Sequence, residues 1–259
     1  MNIFKQFYKS THSPSDIASF RFQGIGKTIL FVFFLTFISI LPTIYYLSTL
    51  LTAGIESTKS VITEDIPSFT IDNGVMSADS DVPITIDKGD FTIIVDPTGV
   101  ITNEEVEDEG NAIALLKNEF AVSSGGRIDT YPYSMLEGLT LTKDDFKEMV
   151  NTVDGMKGII IPIMSAFIFL FSSAISFIEV SILALIGLAL KNLASRSISY
   201  RHLWRMAAYS VTLPTVFFTI MAALNTTVPN SFIINWFVEI IILFLAIKEI
   251  PSKKTTIEN

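Results

Sequence analysis

Four long apolar stretches divide the chain into segments of membrane-spanning and polar character. The longest, residues 159–190, carries a single charged side chain, Glu179, within 32 residues. A helix needs about 20 predominantly apolar residues to cross the hydrocarbon core of a bilayer, and this stretch exceeds that length. Residues 28–52, 206–224 and 231–248 form three shorter apolar stretches. The pattern predicts an α-helical integral membrane protein with four transmembrane helices.

The polar segment between the first two stretches, residues 53–158, has the pattern of a small folded domain. Short β-rich runs alternate with turn signals such as Asp72-Asn73-Gly74. Beyond them, Thr142 stands at a favoured helix N-cap, and the apolar residues that follow it repeat with helical spacing. We predict a small α+β extracytoplasmic domain, an antiparallel meander plus a helix, inserted between helices 1 and 2. Its predicted strands are Ser68–Ile71, Val82–Ile86, Phe91–Val95, Ala112–Leu116, Phe120–Ser123 and Arg127–Tyr133.

Charge divides the chain in the same way. Residues 53–158 carry 21 acidic and 7 basic side chains, whereas the remainder carries 5 acidic and 11 basic ones. Because short loops rich in Lys and Arg stay in the cytoplasm, this asymmetry predicts cytoplasmic N- and C-termini and an external acidic domain. The remaining segments are an interfacial cytoplasmic segment at 1–27, a basic cytoplasmic loop at 191–205, an outer turn at 225–230 and a cytoplasmic tail at 249–259.

Composition limits the chemistry that the chain can perform. The sequence is 49% hydrophobic with a mean hydropathy of +0.51, which is typical of an integral membrane protein. It has no cysteine, which excludes disulfides, thiol catalysis and thiolate metal sites. The two histidines, His12 and His202, lie outside the acidic segment, so a Ser-His-Asp site is excluded there. We expect a protein that is not an enzyme, has no cofactor and does not bind nucleic acid.

Two acidic runs, at residues 79–81 and 104–109, invite comparison with calcium-binding loops. Neither has the spaced ligands, central glycine and terminal glutamate that such a loop requires. We interpret both runs as solvated loops and expect no metal site.

Three groups of residues resemble the DUF1189 family of bacterial integral membrane proteins, found mostly in Gram-positive bacteria. They are an aromatic and basic start (Phe4, Phe7, Phe20-Arg21 and residues 24–28), residues 131–134 with 140–142, and Ser199-Tyr200-Arg201 leading into residues 208–210 and Pro214. The third group is also faintly similar to Yip1-like membrane proteins. The resemblance implies a multi-pass protein of the bacterial plasma membrane and brings no agreed activity or catalytic residues. Some family members carry a label that connects them with maltodextrin use.

Three polar residues lie within the apolar stretches. Glu239 is the ninth residue of the fourth stretch, near the expected bilayer centre, and Asn235 precedes it by four residues on the same helical face. Glu179 lies in the second stretch. A buried carboxylate is costly there, so these residues indicate either a proton- or solute-linked site or a neutral glutamate that ties helices together through hydrogen bonds.

The basic loop offers a second set of candidates. Arg201 and Arg205 are four residues apart, a spacing that places them on one helical face, and Tyr200 and Trp204 are typical interfacial anchors. Together with Arg196, this face is predicted either to bind lipid headgroups and set topology or to dock an acidic cytoplasmic partner.

These patterns favour a non-enzymatic accessory or regulatory protein with an outward sensing or docking domain and a membrane or cytoplasmic protein partner. The alternative is a small transporter or transporter accessory subunit that uses the intramembrane glutamates, linked through the family label to maltodextrin uptake. Transporters often contain repeated, interrupted helices. Pro42 and Pro214 do interrupt the first and third stretches, but the sequences around them do not repeat.

Overall fold

The chain forms two compact units, which we name by their content. The helical unit comprises Met1–Leu47 and Ile161–Asn259, and the acidic unit comprises Ser48–Ile160. The predicted tail lies outside the described residues from position 252 onward, including Lys253 and Lys254. The structure is a computed structural model that describes residues 1–89, 91–136 and 138–251.

Eight α-helices account for most of the described residues, and a π-helical turn at Val61–Asp65 follows the third. Four helical segments are long and apolar enough to cross a membrane: Ile25–Asp65, Lys143–Leu193, Tyr200–Ala223 and Ser231–Lys248. The prediction of four apolar helices is therefore confirmed. The helices are α1 (Ile3–Ser10), α2 (Pro14–Phe20), α3 (Ile25–Ser60), α4 (Asn103–Asp108), α5 (Lys143–Leu193), α6 (Tyr200–Ser210), α7 (Thr212–Ala223) and α8 (Ser231–Lys248).

Helix α5 combines two predicted elements in one. It includes the helix expected after Thr142, the apolar stretch 159–190 and the residues between them, 51 residues in all. Gly155 and Gly158 lie in this connection, and each costs a helix only about 1 kcal/mol relative to alanine. Ion pairs from Asp154 to Lys157 on the same helix and to Lys59 on α3 hold the connection in place. The helix is thus continuous past Leu190, which the sequence pattern left open.

The third apolar segment is two helices rather than one. Helix α6 begins at Tyr200, so the last six residues of the predicted basic loop are helical. The chain breaks at Val211 and continues as α7, in which Pro214 is the third residue. A proline is tolerated in the first turn of a helix because its missing N–H has no intrahelical acceptor there. Pro214 therefore lies in the first turn of α7, directly after the break at Val211 within the apolar segment Tyr200–Ala223.

The core of the helical unit gathers side chains from both ends of the chain. Ser13 caps α2 by accepting a hydrogen bond from the Asp16 N–H, as its position in the sequence suggests. The rings of Phe20 and Phe31 lie 4.6 and 4.4 Å from the ring of Tyr209. The Tyr209 hydroxyl donates to Gln6 Oε1 at 3.1 Å. The N-terminal segment is therefore packed into the helical unit by buried contacts.

Helices α5, α6 and α8 approach one another closely at Gly187. A Cβ atom at this position would lie 3.2 Å from Leu243 on α8 and 3.3 Å from Leu203 on α6. Both distances are tighter than ordinary van der Waals contact, so glycine allows these helices to pack together. The contact positions α8 against the side of α5 that carries Glu179.

The described residues of the acidic unit form eight strands in two sheets. The order in the three-stranded sheet is β2-β1-β8, and the order in the five-stranded sheet is β3-β4-β5-β6-β7. All six predicted strands are present with small shifts of their ends, whereas β2 and β8 were not predicted. The strands are β1 (Phe69–Asp72), β2 (Val75–Ala78), β3 (Ile84–Asp87), β4 (Thr92–Val95), β5 (Ala112–Leu115), β6 (Glu119–Ser124), β7 (Arg127–Pro132) and β8 (Leu141–Thr142).

The prediction of an antiparallel meander is wrong at the centre of the larger sheet. Strands β4 and β5 pair in parallel, and parallel neighbours need a crossover connection. Helix α4 supplies it, so the acidic run at 104–109, interpreted as a solvated loop, is mostly helical. Thr102 and Glu105 form a reciprocal capping box at its start, and Val106 buries its side chain against the sheet. With α4 on one face, every residue of β4 is buried.

Candidate functional site

Glu179, Asn235 and Glu239 form one hydrogen-bonded cluster, which we call the carboxyl cluster. The side-chain amide of Asn235 donates to Glu179 Oε1 at 2.8 Å and to Glu239 Oε1 at 2.7 Å. Asn235 and Glu239 share a face of α8, as their spacing predicts, and Glu179 reaches them from α5. Both hydrogens of a single amide are therefore used to join two carboxyl groups on two helices.

The cluster places two carboxyl groups close together in apolar surroundings. Their Oε1 atoms can be no farther apart than 5.5 Å, the sum of the two bonds to Asn235. Glu239 is only 1% exposed, and its Oε2 atom meets no donor among the described residues. Two negative charges this close repel each other strongly at low dielectric, and a proton on either carboxyl group would relieve that repulsion.

A small cavity lies beside Glu179 in the helical unit. Its polar lining comes from Thr36 and Ser39 on α3, Ser176 and Glu179 on α5, and Thr215 on α7. Its volume of about 20 Å³ is enough for one particle the size of a water molecule. Sequence reasoning missed these hydroxyl groups, although the spacing of 36 and 39, and of 176 and 179, places each pair on one helical face.

Three of the four hydroxyl groups around the cavity donate hydrogen bonds within the protein. Ser39 donates to the Thr36 carbonyl at 2.8 Å, and Thr215 donates to the Val211 carbonyl at 2.7 Å. Thr36 donates to Ser176 Oγ at 3.1 Å. A hydroxyl has one hydrogen and two lone pairs, so these three oxygens keep acceptor capacity after donating.

The arginines predicted to share a docking face do not share one. Arg201 is exposed, but Arg205 is only 6% exposed and donates from Nη1 to the Arg21 carbonyl at 2.9 Å. Their helical spacing is as predicted, yet the packing of α2 against α6 covers the Arg205 end of the face. The predicted docking surface therefore lacks one of its two central charges.

The other basic-loop candidates also have specific contacts. Trp204 donates from Nε1 to Ser181 Oγ at 3.1 Å and stacks against Phe177, so its ring packs on α5. Arg196 donates from Nη2 to the Lys248 carbonyl at 3.2 Å, which satisfies a free carbonyl at the C-terminal end of α8. Tyr200 remains 41% exposed at the start of α6.

The comparisons with known proteins identify the family. A model described as a protein of unknown function, DUF1189, matches residues 4–247. The chain belongs to the DUF1189 family. No curated protein and no solved structure matches it, and similarity to Yip1-like proteins is not shown. The match spans both units and includes the carboxyl cluster.

In the described part of this DUF1189 family member, no group of three His, Asp or Glu side chains is placed to hold a metal ion. The acidic runs at 79–81 and 104–109 thus do not converge into a ligand set of that kind. The arrangement that the structure does bring together is the carboxyl cluster with its neighbouring cavity. The cluster and the cavity bring two carboxyl groups, one amide and four hydroxyl-bearing residues close together in the helical unit.

Proposed function

We propose that this DUF1189 family member is a non-enzymatic accessory or regulatory protein of the bacterial plasma membrane. Its acidic unit faces outward, where it senses or docks a partner, and its four apolar helices cross the bilayer. Both termini are cytoplasmic in this proposal. The four apolar helices and the distribution of basic residues around them support this orientation.

The continuity of helices α3 and α5 carries the proposal. Each helix contributes residues to both units, and each contains one internal proline, Pro42 in α3 and Pro162 in α5, that cannot donate a helical hydrogen bond. Within the acidic unit, Lys59 on α3 pairs with Asp154 on α5 at 2.9 Å. A partner bound to the acidic unit would thus act on two linked helices together.

Single-cysteine labelling tests the orientation directly, because the natural chain has no cysteine. In intact cells, an impermeant thiol reagent is expected to label the Ser80→Cys variant and to leave the Ser195→Cys variant unlabelled until the membrane is opened. The measurement is the labelled fraction on a gel before and after permeabilisation. Labelling of Ser195→Cys in intact cells, or protection of Ser80→Cys, contradicts the proposed topology.

A transport component is the second candidate, and the carboxyl cluster favours it. Glu179 and Glu239 lie on two apolar helices and share the Asn235 amide, and Glu179 lines a cavity together with hydroxyl-bearing residues from α3, α5 and α7. Ionisable groups at such positions are characteristic of proton relays in pumps and transporters. A structural role, in which Asn235 ties α5 to α8, uses the same hydrogen bonds and requires no movement of protons.

Reconstitution of the purified protein distinguishes the accessory role from transport. An accessory protein is expected to give no proton flux when it is purified alone and placed in liposomes with an imposed membrane potential, as read by a trapped pH dye. In native membranes, a thiol photocrosslinker on Ser80→Cys is expected to give discrete protein adducts. Flux that the Glu239→Gln variant loses, with no adduct from Ser80→Cys, contradicts the accessory role and supports transport.

A further inference from the structure

We propose that the cavity beside Glu179 is a binding site for one small monovalent cation, for which Na⁺ is the probe. Five of the residues that line it carry side-chain oxygens and come from three helices: Thr36 and Ser39 on α3, Ser176 and Glu179 on α5, and Thr215 on α7. This inference goes beyond the proposed accessory role, because no step of that role requires a bound ion.

The direction of the hydrogen bonds determines the kind of ligand that the cavity accepts. Ser39 and Thr215 donate their hydrogens to carbonyls of their own helices, and Thr36 donates to Ser176. What these three groups can still offer a ligand is therefore lone pairs. A lining of acceptor oxygens with one carboxyl group suits a cation, and hydroxyl and carboxylate oxygens are typical ligands of hard cations.

Size and charge limit the cation to a small monovalent one. The cavity of about 20 Å³ holds one particle the size of a water molecule, so a hydrated ion does not fit. Divalent Ca²⁺ takes six to eight oxygens and Mg²⁺ holds several waters, which this space does not provide. Among the residues that the structure describes, Glu179 supplies the single carboxyl group of the lining. With Glu179 ionised and a proton on Glu239, a single positive charge makes the site neutral, which is the least costly state in apolar surroundings.

The site explains why the cluster contains two carboxyl groups. Asn235 occupies Glu179 Oε1 and Glu239 Oε1, which leaves the second oxygen of each group. A protonated Glu239 can then donate to Glu179, which disperses the charge of Glu179 without removing it. Glu239 and Asn235 are thus positioning residues, and Glu179 with the hydroxyl groups is the binding set. Because the ligands come from α3, α5 and α7, an ion in the cavity joins these three helices.

Ion-dependent stability of the full-length protein tests the site. Thermal unfolding is measured in sodium-free detergent buffer while choline chloride is replaced by NaCl at constant ionic strength. The melting temperature is expected to rise by ~5–10 °C when Na⁺ reaches about 100 times its dissociation constant. Binding of radioactive Na⁺ to the immobilised protein gives a second readout that does not depend on unfolding.

Matched variants test whether Na⁺ stabilises the protein by binding in the cavity. Thr215→Val keeps the side-chain shape but removes a lining oxygen and is expected to weaken Na⁺ binding at least ~10-fold, and Glu179→Gln is expected to abolish it. Thr219→Val is the control, because Thr219 makes the same bond to the carbonyl four residues earlier, at 2.7 Å, and does not line the cavity. Its Na⁺ response should equal that of the natural protein.

Three results would overturn the proposal: equal stability in NaCl and choline chloride, an equal loss in Thr219→Val and Thr215→Val, or stability that follows pH alone. The last of these would identify a proton site without an ion. None of these results bears on the cysteine-labelling or crosslinking tests, so the ion site and the accessory role can fail independently.

Discussion

Replacing Asp96 with alanine is expected to destabilise the larger sheet of the acidic unit strongly. Asp96 follows β4, is 0% exposed and accepts four hydrogen bonds. Its Oδ1 accepts from the Thr98 hydroxyl at 2.5 Å and from the backbone N–H groups of Thr98 and Gly99 at 2.8 and 3.1 Å. Its Oδ2 accepts from the Ile101 N–H at 2.7 Å. One carboxylate therefore holds the turn that leads from β4 to α4.

The expected loss is large because four hydrogen bonds converge on one buried carboxylate. Hydrogen bonds to a charged group contribute roughly 1.5–3 kcal/mol each. We expect a total loss of about 3–5 kcal/mol, which corresponds to amide exchange at least ~100-fold faster in β4, β5 and β6. Hydrogen-exchange mass spectrometry of the full-length protein in detergent measures these exchange rates.

Asp87→Ala is the matched control within the same unit. Asp87 also ends a strand before a turn, but it is exposed, and among the described residues its Oδ1 accepts one hydrogen bond, from the Gly89 N–H at 2.7 Å. Its replacement is expected to cost less than about 1 kcal/mol. If the two variants exchange at the same rate, the Asp96 turn does not stabilise the sheet.

Lowering the pH should weaken the same hydrogen bonds to the Asp96 carboxylate. Burial alone would raise the pKa of Asp96, but the hydrogen bonds from Thr98, Ile101 and Gly99 outweigh it and hold its pKa below the ordinary value. A carboxyl group with a lowered pKa in the folded state stabilises the fold above its unfolded pKa of about 3.9 and loses that contribution as the pH falls through the folded value. Asp96→Asn removes the titrating group. Below about pH 4, the free energy of unfolding of this variant should therefore change less with pH than that of the natural protein.

Local sequence patterns predicted the elements of this chain better than their arrangement. The β-rich runs and the cap at Thr142 were identified because both depend on neighbouring residues, and Thr142 does bond reciprocally with Asp145. The parallel pairing of β4 and β5 was missed because the acidic run between them was interpreted as a loop. A capping box at Thr102 and Glu105 and a single apolar residue, Val106, were the available signals for α4.

The arrangement of the candidate site residues was also predicted only where it depends on residues that are close in sequence. The spacing of Asn235 and Glu239 predicted their shared face, since the i,i+4 geometry of a helix is local. The partnership with Glu179 depends on how α5 packs against α8, which no local pattern specifies. Arg205 illustrates the opposite case: its spacing from Arg201 is helical, but contacts with α2, about 180 residues earlier in the chain, decide that it is buried.

Asn235→Leu is expected to destabilise the helical unit strongly, because it removes the donor that both carboxyl groups share. Leucine is close to asparagine in size, so the change leaves Glu179 and Glu239 without that hydrogen bond while adding little strain. Leaving buried polar groups unsatisfied costs about 1–3 kcal/mol each, so we expect a loss of about 2–4 kcal/mol in all. The melting temperature in detergent should fall by ~4–16 °C. Asn192→Leu, an exposed change near the end of α5, is the control and should melt like the natural protein.

A double-mutant cycle with Glu239 then tests whether the cluster acts as a unit. Glu239→Gln retains a hydrogen-bonding side chain of the same size and should lower the melting temperature little, whereas Glu239→Leu leaves the Asn235 amide without one of its two acceptors. In the Asn235→Leu, Glu239→Leu double variant, fewer polar groups remain unsatisfied, so its loss should be at least ~1 kcal/mol smaller than the sum of the two single losses. Additive losses would show that the hydrogen bonds through Asn235 do not couple the two helices. If the Glu239→Gln variant melts normally but is inactive in cells, the carboxyl cluster serves proton movement rather than helix packing.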